Sequence, residues 1–266
     1  MSERNDDLFY KHSGQMGLSV PVILVIGLPV IVLLSAIYSA LVVYCPVVGY
    51  VNILFLGGYV YAGGFVLATL ARQTKCRNPG ILLLLGAAAG VVGVYAAWVF
   101  FISMLFGNVL PPMEFAFSPF KVFDTASTIN ANGWWGPSGI AQWALVSIEA
   151  AIIVGGLAMF TYLSIDREVF CEECNTWCEP FETMHLRPAD EFINTPADQL
   201  NHLELLSLEE AETTEYPRLV AEVLQCSGCQ MTQAIRFKKL TQVMEEGELN
   251  EHSEDIPGIL MQRKTH

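Results

Sequence analysis

Charge is scarce in this sequence. Only 15% of its 266 residues are Asp, Glu, Lys or Arg, well below the roughly 25% of an average soluble domain. With 53% hydrophobic residues, the chain is not a disordered polymer, which would be polar and highly charged. The scarcity is also local. Up to residue 164, Lys/Arg and Asp/Glu number six each, so the whole net charge of −13 lies in residues 165–266. So uneven a division excludes a single soluble globule. The acidic half argues against nucleic acid as a partner, because it repels phosphate. Cysteine is sparse too. Seven residues are too few and too scattered for a disulfide-built secreted scaffold. Nucleophile elbows, phosphate-binding glycine loops, HExxH and paired catalytic carboxylates are all missing, which leans away from an enzyme.

What the sequence does have is long apolar runs, at about 18–44, 47–71, 80–106 and 139–163. Each exceeds the roughly 20 residues that cross a hydrocarbon core as a helix. The first is much longer than the about 7–15 residues of a signal-peptide core and follows Asp6 and Asp7, so it is expected to stay in the mature protein. Residues 1–164 therefore read as an all-α membrane domain, a four-helix transmembrane bundle in a lipid bilayer. Arg4 and Lys11, then Arg72, Lys75 and Arg77, then Arg167 fall on one side, while the 107–138 loop holds only Lys121. By the positive-inside rule both termini face the cytoplasm. The 107–138 loop carries Phe115, Phe117, Phe120, Phe123, Trp134 and Trp135, broken by Pro111, Pro112 and Pro119. It reads as a loop lying on the membrane surface or as a platform for an external partner. Pro21 and Pro29 are expected to kink the first span. The Gly86–Gly90 spacing predicts close helix packing, in a compact bundle or in a homo-oligomer.

Glu149 sits near the centre of the fourth run. A carboxylate there costs roughly 2.5–3.5 kcal/mol on insertion scales, so it should face the bundle interior or water. It reads as a proton or cation site, or as a neutral carboxyl bonded to another helix. Asn52, Gln142 and Ser147 are polar neighbours of the right type.

In the acidic half the informative feature is cysteine spacing. Cys171-Glu-Glu-Cys174 and Cys226-Ser-Gly-Cys229 are two C-x-x-C pairs. Each can fold as a tight knuckle, and four thiolates close a tetrahedral zinc shell with no open position, hence structural. Asn175 and Gly228 are residue types that tolerate tight-turn angles. The segments 219–224 and 231–237 flank the second pair as strands. Between Cys174 and Cys226 lie 51 residues, against roughly 15–20 in a compact ribbon. Part of this insertion, 196–210, reads as a helix with Ala197, Leu200, Leu203, Leu206 and Leu208 on one face and Thr195 as N-cap. Cys178, His185 and His202 are alternative ligands, and a redox dithiol is a further option. The expected fold of residues 165–243 is a small α+β, zinc-ribbon-like cytoplasmic domain. Residues 244–266 read as an acidic, disordered tail.

The stretches Phe9-Tyr-Lys-His-Ser-Gly14, Tyr44-Cys-Pro46, Arg77-Asn-Pro79 and Tyr95-Ala-Ala-Trp98 resemble a widespread group of uncharacterised bacterial four-span inner membrane proteins over the first 110 residues or so. The resemblance implies a bacterial inner (plasma) membrane location and no particular activity. The cysteine pairs resemble zinc ribbons in general. The expected role is an anchor or adaptor that presents a zinc-stabilised acidic module to a cytoplasmic protein partner. A small transporter or channel component using Glu149 is the alternative, and a membrane-bound thiol oxidoreductase the third.

Overall fold

The computed structural model describes residues 8–45, 50–106, 112–133, 137–187, 192, 195–196, 199–200, 202–210, 216–245 and 248–263. They form two compact units. One is Ser13–Asp166; the other joins the described residues up to His12 to the chain from Arg167 onward.

The first unit is helical. Its long helices are α1 (Ser19–Tyr44), α2 (Tyr50–Gln73), α3 (Pro79–Leu105) and α6 (Ile140–Asp166). Among the described residues, these four are long and apolar enough to cross a membrane. In α1, Ile23–Gly27 winds as a π-helix just before Pro29, whose missing N–H interrupts the i→i−4 ladder. Asn78 starts α3: its side chain accepts from Ile81 N at 3.0 Å, with Pro79 at the first helical position. The same turn is tied to the chain before α1. Arg77 N donates to Gln15 O at 2.7 Å, and Asn78 Nδ2 to Gly14 O at 3.1 Å. Two separated motifs, around Gly14 and around Arg77, thus meet in space.

Small residues set the helix spacing. A Cβ on Gly86 would lie 2.7 Å from Leu157 O, and one on Gly90 2.7 Å from Val154 Cα. The Gly86–Gly90 face is therefore occupied by α6 of the same chain. Serines bridge α1 to α3: Ser35 Oγ lies 3.1 Å from Gly93 O, and Ser39 Oγ donates to Ala97 O at 2.8 Å.

The segment after α3 is more regular than its prolines and aromatics imply. It holds α4 (Pro112–Ala116) and α5 (Pro119–Asn132). Tyr95 Oη donates to Phe115 O and Ala116 O at 3.0 and 3.1 Å, fastening the end of α4. Phe115 is buried, while Phe117, Phe120 and Phe123 are exposed. Val122, Ala126 and Asn130 make a buried stripe along α5. Pro111, Trp134 and Trp135 lie outside the described residues.

The second unit has a two-stranded sheet, β1 (Phe170–Cys171) with β2 (Thr176–Trp177), and a four-stranded antiparallel meander. The meander runs in order through β3 (Glu179–Leu186), β4 (Arg218–Gln225), β5 (Thr232–Glu245) and β6 (Glu248–Arg263). Leu219, Ala221, Val223, Ile235, Phe237 and Leu260 centre one core cluster.

Three expectations are corrected here. The acidic tail is not disordered over residues 248–263, which form β6 on β5. Its charges find partners: Arg167 pairs with Asp255, Arg218 Nη2 lies 2.8 Å from Glu251 Oε2, and Lys238 stands opposite Asp255 in register. Among the described residues of 196–210, only α7 (His202–Leu205) is α-helical. Leu200 and Leu205 are pulled into the sheet core, and Glu209 O must return to Arg187 N at 3.0 Å, which leaves no room for a straight helix. Ala197 lies outside the described residues. Finally, the N-terminal segment does not stay with the helices. Leu8 O accepts from Met261 N, and Tyr10 N donates to Ile259 O, each at 2.8 Å.

Candidate metal centre

The two C-x-x-C segments are both hairpin turns. Cys171 ends β1 and Cys174 lies in the turn to β2, in register Cys171↔Thr176. Cys226 follows β4 and Cys229 lies in the turn to β5. Cys226 N donates to Thr232 O at 3.0 Å, and Gln230 N to Cys226 O at 3.0 Å. The turns share a backbone signature: the residue after each second cysteine has positive φ, 52° at Asn175 and 58° at Gln230. The left-handed region suits Asn and is costly for Gln. Gly228 has a different role. A Cβ there would lie 2.9 Å from Cys174 Sγ and 3.1 Å from Cys174 Cβ. Only glycine lets the two knuckles close on one another.

The result is convergence. The sulfurs of Cys171, Cys174, Cys226 and Cys229 all lie within 4.8 Å of one another, close enough to hold a metal ion. Cys171 Sγ and Cys229 Sγ are 3.7 Å apart. All four are free thiols; Cys171 and Cys226 are buried, Cys174 and Cys229 half-buried. Thr232 Oγ1 lies 3.2 Å from Cys171 Sγ. The thiols are not equivalent. Backbone N–H groups of Thr232 and then Met231 bring Cys229 down to about 6. Hydrogen bonds with Cys229 and Cys226, then burial, push Cys174 up to about 12.

The alternative ligands stand elsewhere. Cys178 is buried in the adjacent apolar cluster with Val169, Leu224 and Ala234 and is not one of the four converging cysteines. Burial, then the neighbouring cysteines, pushes its thiol up to about 12. His202 lies edge-on to Phe9 and Phe237, with Nε2 3.3 Å from Gly258 O. Burial holds it below the usual histidine range. His185 belongs to β3, opposite Val220. Cys76 is buried and Cys45 half-buried.

Glu149 is the second candidate position. It is partly buried in α6, and its partner is on α1: Tyr38 Oη donates to Glu149 Oε1 at 2.6 Å. Asn52, Gln142 and Ser147 do not fill that role. Asn52 and Gln142 instead line a cavity of about 640 Å³ together with Glu149 and Tyr38. Asn130 of α5 lines it too. Sequence reasoning missed Tyr38 and Asn130. The usable signal was a phenol in an apolar span and an Asn at i+4 and i+8 from Ala126 and Val122.

Comparison with protein-family models, with curated proteins and with solved structures finds no match for this chain.

Proposed function

We propose that the chain is an integral membrane anchor that presents a structural-zinc module to a protein partner at the cytoplasmic face. The observation that carries the reading is the convergence of four cysteine sulfurs from two like knuckles. Zinc–sulfur bonds of about 2.3 Å in a tetrahedron require sulfurs about 3.8 Å apart. The 3.7 Å between Cys171 Sγ and Cys229 Sγ fits that edge, and a disulfide, at about 2.05 Å, would not. Cys171, Cys174, Cys226 and Cys229 would hold the ion as thiolates, and the closed shell leaves no open position for a substrate. The backbone N–H groups at Thr232 and Met231 would support the charge on Cys229. Exposed Glu172, Glu173, Glu179 and Glu182 give the module an acidic surface suited to a basic partner segment. The Lys/Arg distribution supports the inward orientation.

The test is metal content. The full-length chain, purified in detergent without a histidine tag, is expected to carry one zinc. Cys226→Ser is expected to carry almost none. A metal-free wild type with intact β-structure by circular dichroism would overturn the reading. Mass spectrometry would then show whether a reversible disulfide forms within one pair, as a thiol oxidoreductase requires.

A second reading is favoured by the Tyr38–Glu149 hydrogen bond beside a cavity: a small transporter or channel component. It expects proton or cation flux in proteoliposomes that is lost in Glu149→Gln. Flux equal to protein-free liposomes would remove it.

A further inference from the structure

The cavity beside Glu149 has an unusual polar balance. Its walls are mainly apolar, with Leu56, Trp98, Phe101, Leu145 and Ile153 among them. Its volume of about 640 Å³ lies within the roughly 300–1,000 Å³ of small-molecule sites. Among the described residues that line it, none is Lys, Arg or His. Asn130 is fully buried, and among the described residues neither Oδ1 nor Nδ2 has a hydrogen-bond partner. Gln142 Oε1 is also buried and unpartnered. Buried polar atoms are normally satisfied, so these call for a ligand's complementary groups. Side-chain groups on the walls that can accept include Asn130 Oδ1, Gln142 Oε1, the amide oxygen of Asn52 and the Glu149 carboxyl. The complement is a head with several donors and a positive charge, on an apolar body.

We infer that this cavity binds an amphiphile with a protonated amine head and a hydrocarbon body. An ammonium supplies three donors and no acceptor, so it suits the Glu149 carboxyl and any amide oxygen within reach, while Asn130 Nδ2, itself a donor, is met by an acceptor elsewhere on the ligand. A carboxylate or phosphate head would face Glu149 with no lining cation to offset it. A wholly apolar occupant would leave Asn130 and Gln142 unpaired. Tyr38, by donating to Glu149 Oε1, fixes the carboxyl in place. Asn130 comes from α5 rather than from a spanning helix, so α5 contributes to the wall of the site. The inference requires neither zinc nor transport, and its failure leaves both earlier readings to their own tests.

The experiment measures binding of tritiated dodecylamine to the full-length protein in phosphatidylcholine nanodiscs, against empty nanodiscs. Saturable binding is expected, with dodecanol competing about tenfold more weakly and dodecanoate not competing. Glu149→Gln keeps the side chain's size and is expected to weaken dodecylamine binding about tenfold. Dodecanol binding should not change. Asn130→Leu separates ligand recognition from structure: it should weaken amine binding yet raise the unfolding temperature of the unliganded protein, by removing an unsatisfied polar group. Binding no greater than in empty nanodiscs would overturn the inference. So would equal competition by all three probes, or wild-type amine affinity in both variants.

Discussion

At the residue scale, the cysteine cluster depends on what is absent from Gly228. A Cβ there meets Cys174 Sγ at 2.9 Å, so Gly228→Ala must push one knuckle off the other. The expected cost is about 1–3 kcal/mol of the overpacking kind, with reduced zinc content by elemental analysis. Gln230 supplies the contrast. Its φ of 58° is the left-handed region, where Gly is unstrained and a β-branched residue is not. Gln230→Gly is expected to raise the unfolding temperature and Gln230→Val to lower it, by about 1 kcal/mol each way. Cys178 tests the ligand set. It packs with Val169 and Leu224, so Cys178→Ala should keep one zinc per chain while every ligand variant loses it.

At the scale of elements, the helices pack by backbone approach and the sheet by cross-strand pairs. Gly90 faces Val154 Cα at 2.7 Å from a built Cβ, whereas Gly57 faces nothing within 4 Å. Gly90→Leu should separate α3 from α6 and lower the detergent unfolding temperature, while Gly57→Ala should raise it slightly through helix propensity, about 0.5–1 kcal/mol. On the sheet, Glu222 of β4 joins Arg236 Nη2 at 2.6 Å and Lys238 Nζ at 2.5 Å, both on β5. Burial raises its carboxyl, but the bonds from Lys238 and Arg236 outweigh that and hold it below the usual range. A depressed carboxylate stabilises the fold above its unfolded value and loses that stabilisation as pH falls through the folded one. Glu222→Gln should therefore be less stable than wild type near neutrality, and the gap between them should close below about pH 4.5.

The same elements show what the sequence made legible. The four spans and the two knuckles announce themselves because their signals are local: twenty apolar residues, or two cysteines three apart. The strand of residues 248–263 does not. Its acidic, aperiodic composition looks solvated until Arg167, Arg218 and Lys238 are brought to it by the meander. The 196–210 helix fails for the opposite reason. Its local periodicity is good, but Leu200 and Leu205 serve a sheet core that the local pattern does not contain. Tyr38 as the partner of Glu149 is a contact across 111 positions, beyond any spacing rule.

At the scale of the molecule, the two units draw on different sources of order. The described helices pack through close glycine contacts, and among the described residues the cysteine cluster lies outside them. The second unit places four free cysteines at the junction of its two sheets, and in the thiolate form that a metal requires they would repel at such distances without the cation. Metal removal should therefore act on one unit only. With a strong chelator added to the full-length protein in detergent, amide exchange is expected to speed up at least about tenfold over Phe170–Trp177 and around Cys226–Thr232. Exchange in α3 and α6 should stay slow. Knuckle amides that remain protected after zinc has left would mean that the apolar cluster of Val169, Cys178, Leu224 and Ile259 holds the turns by itself, and that the ion is not what stabilises them.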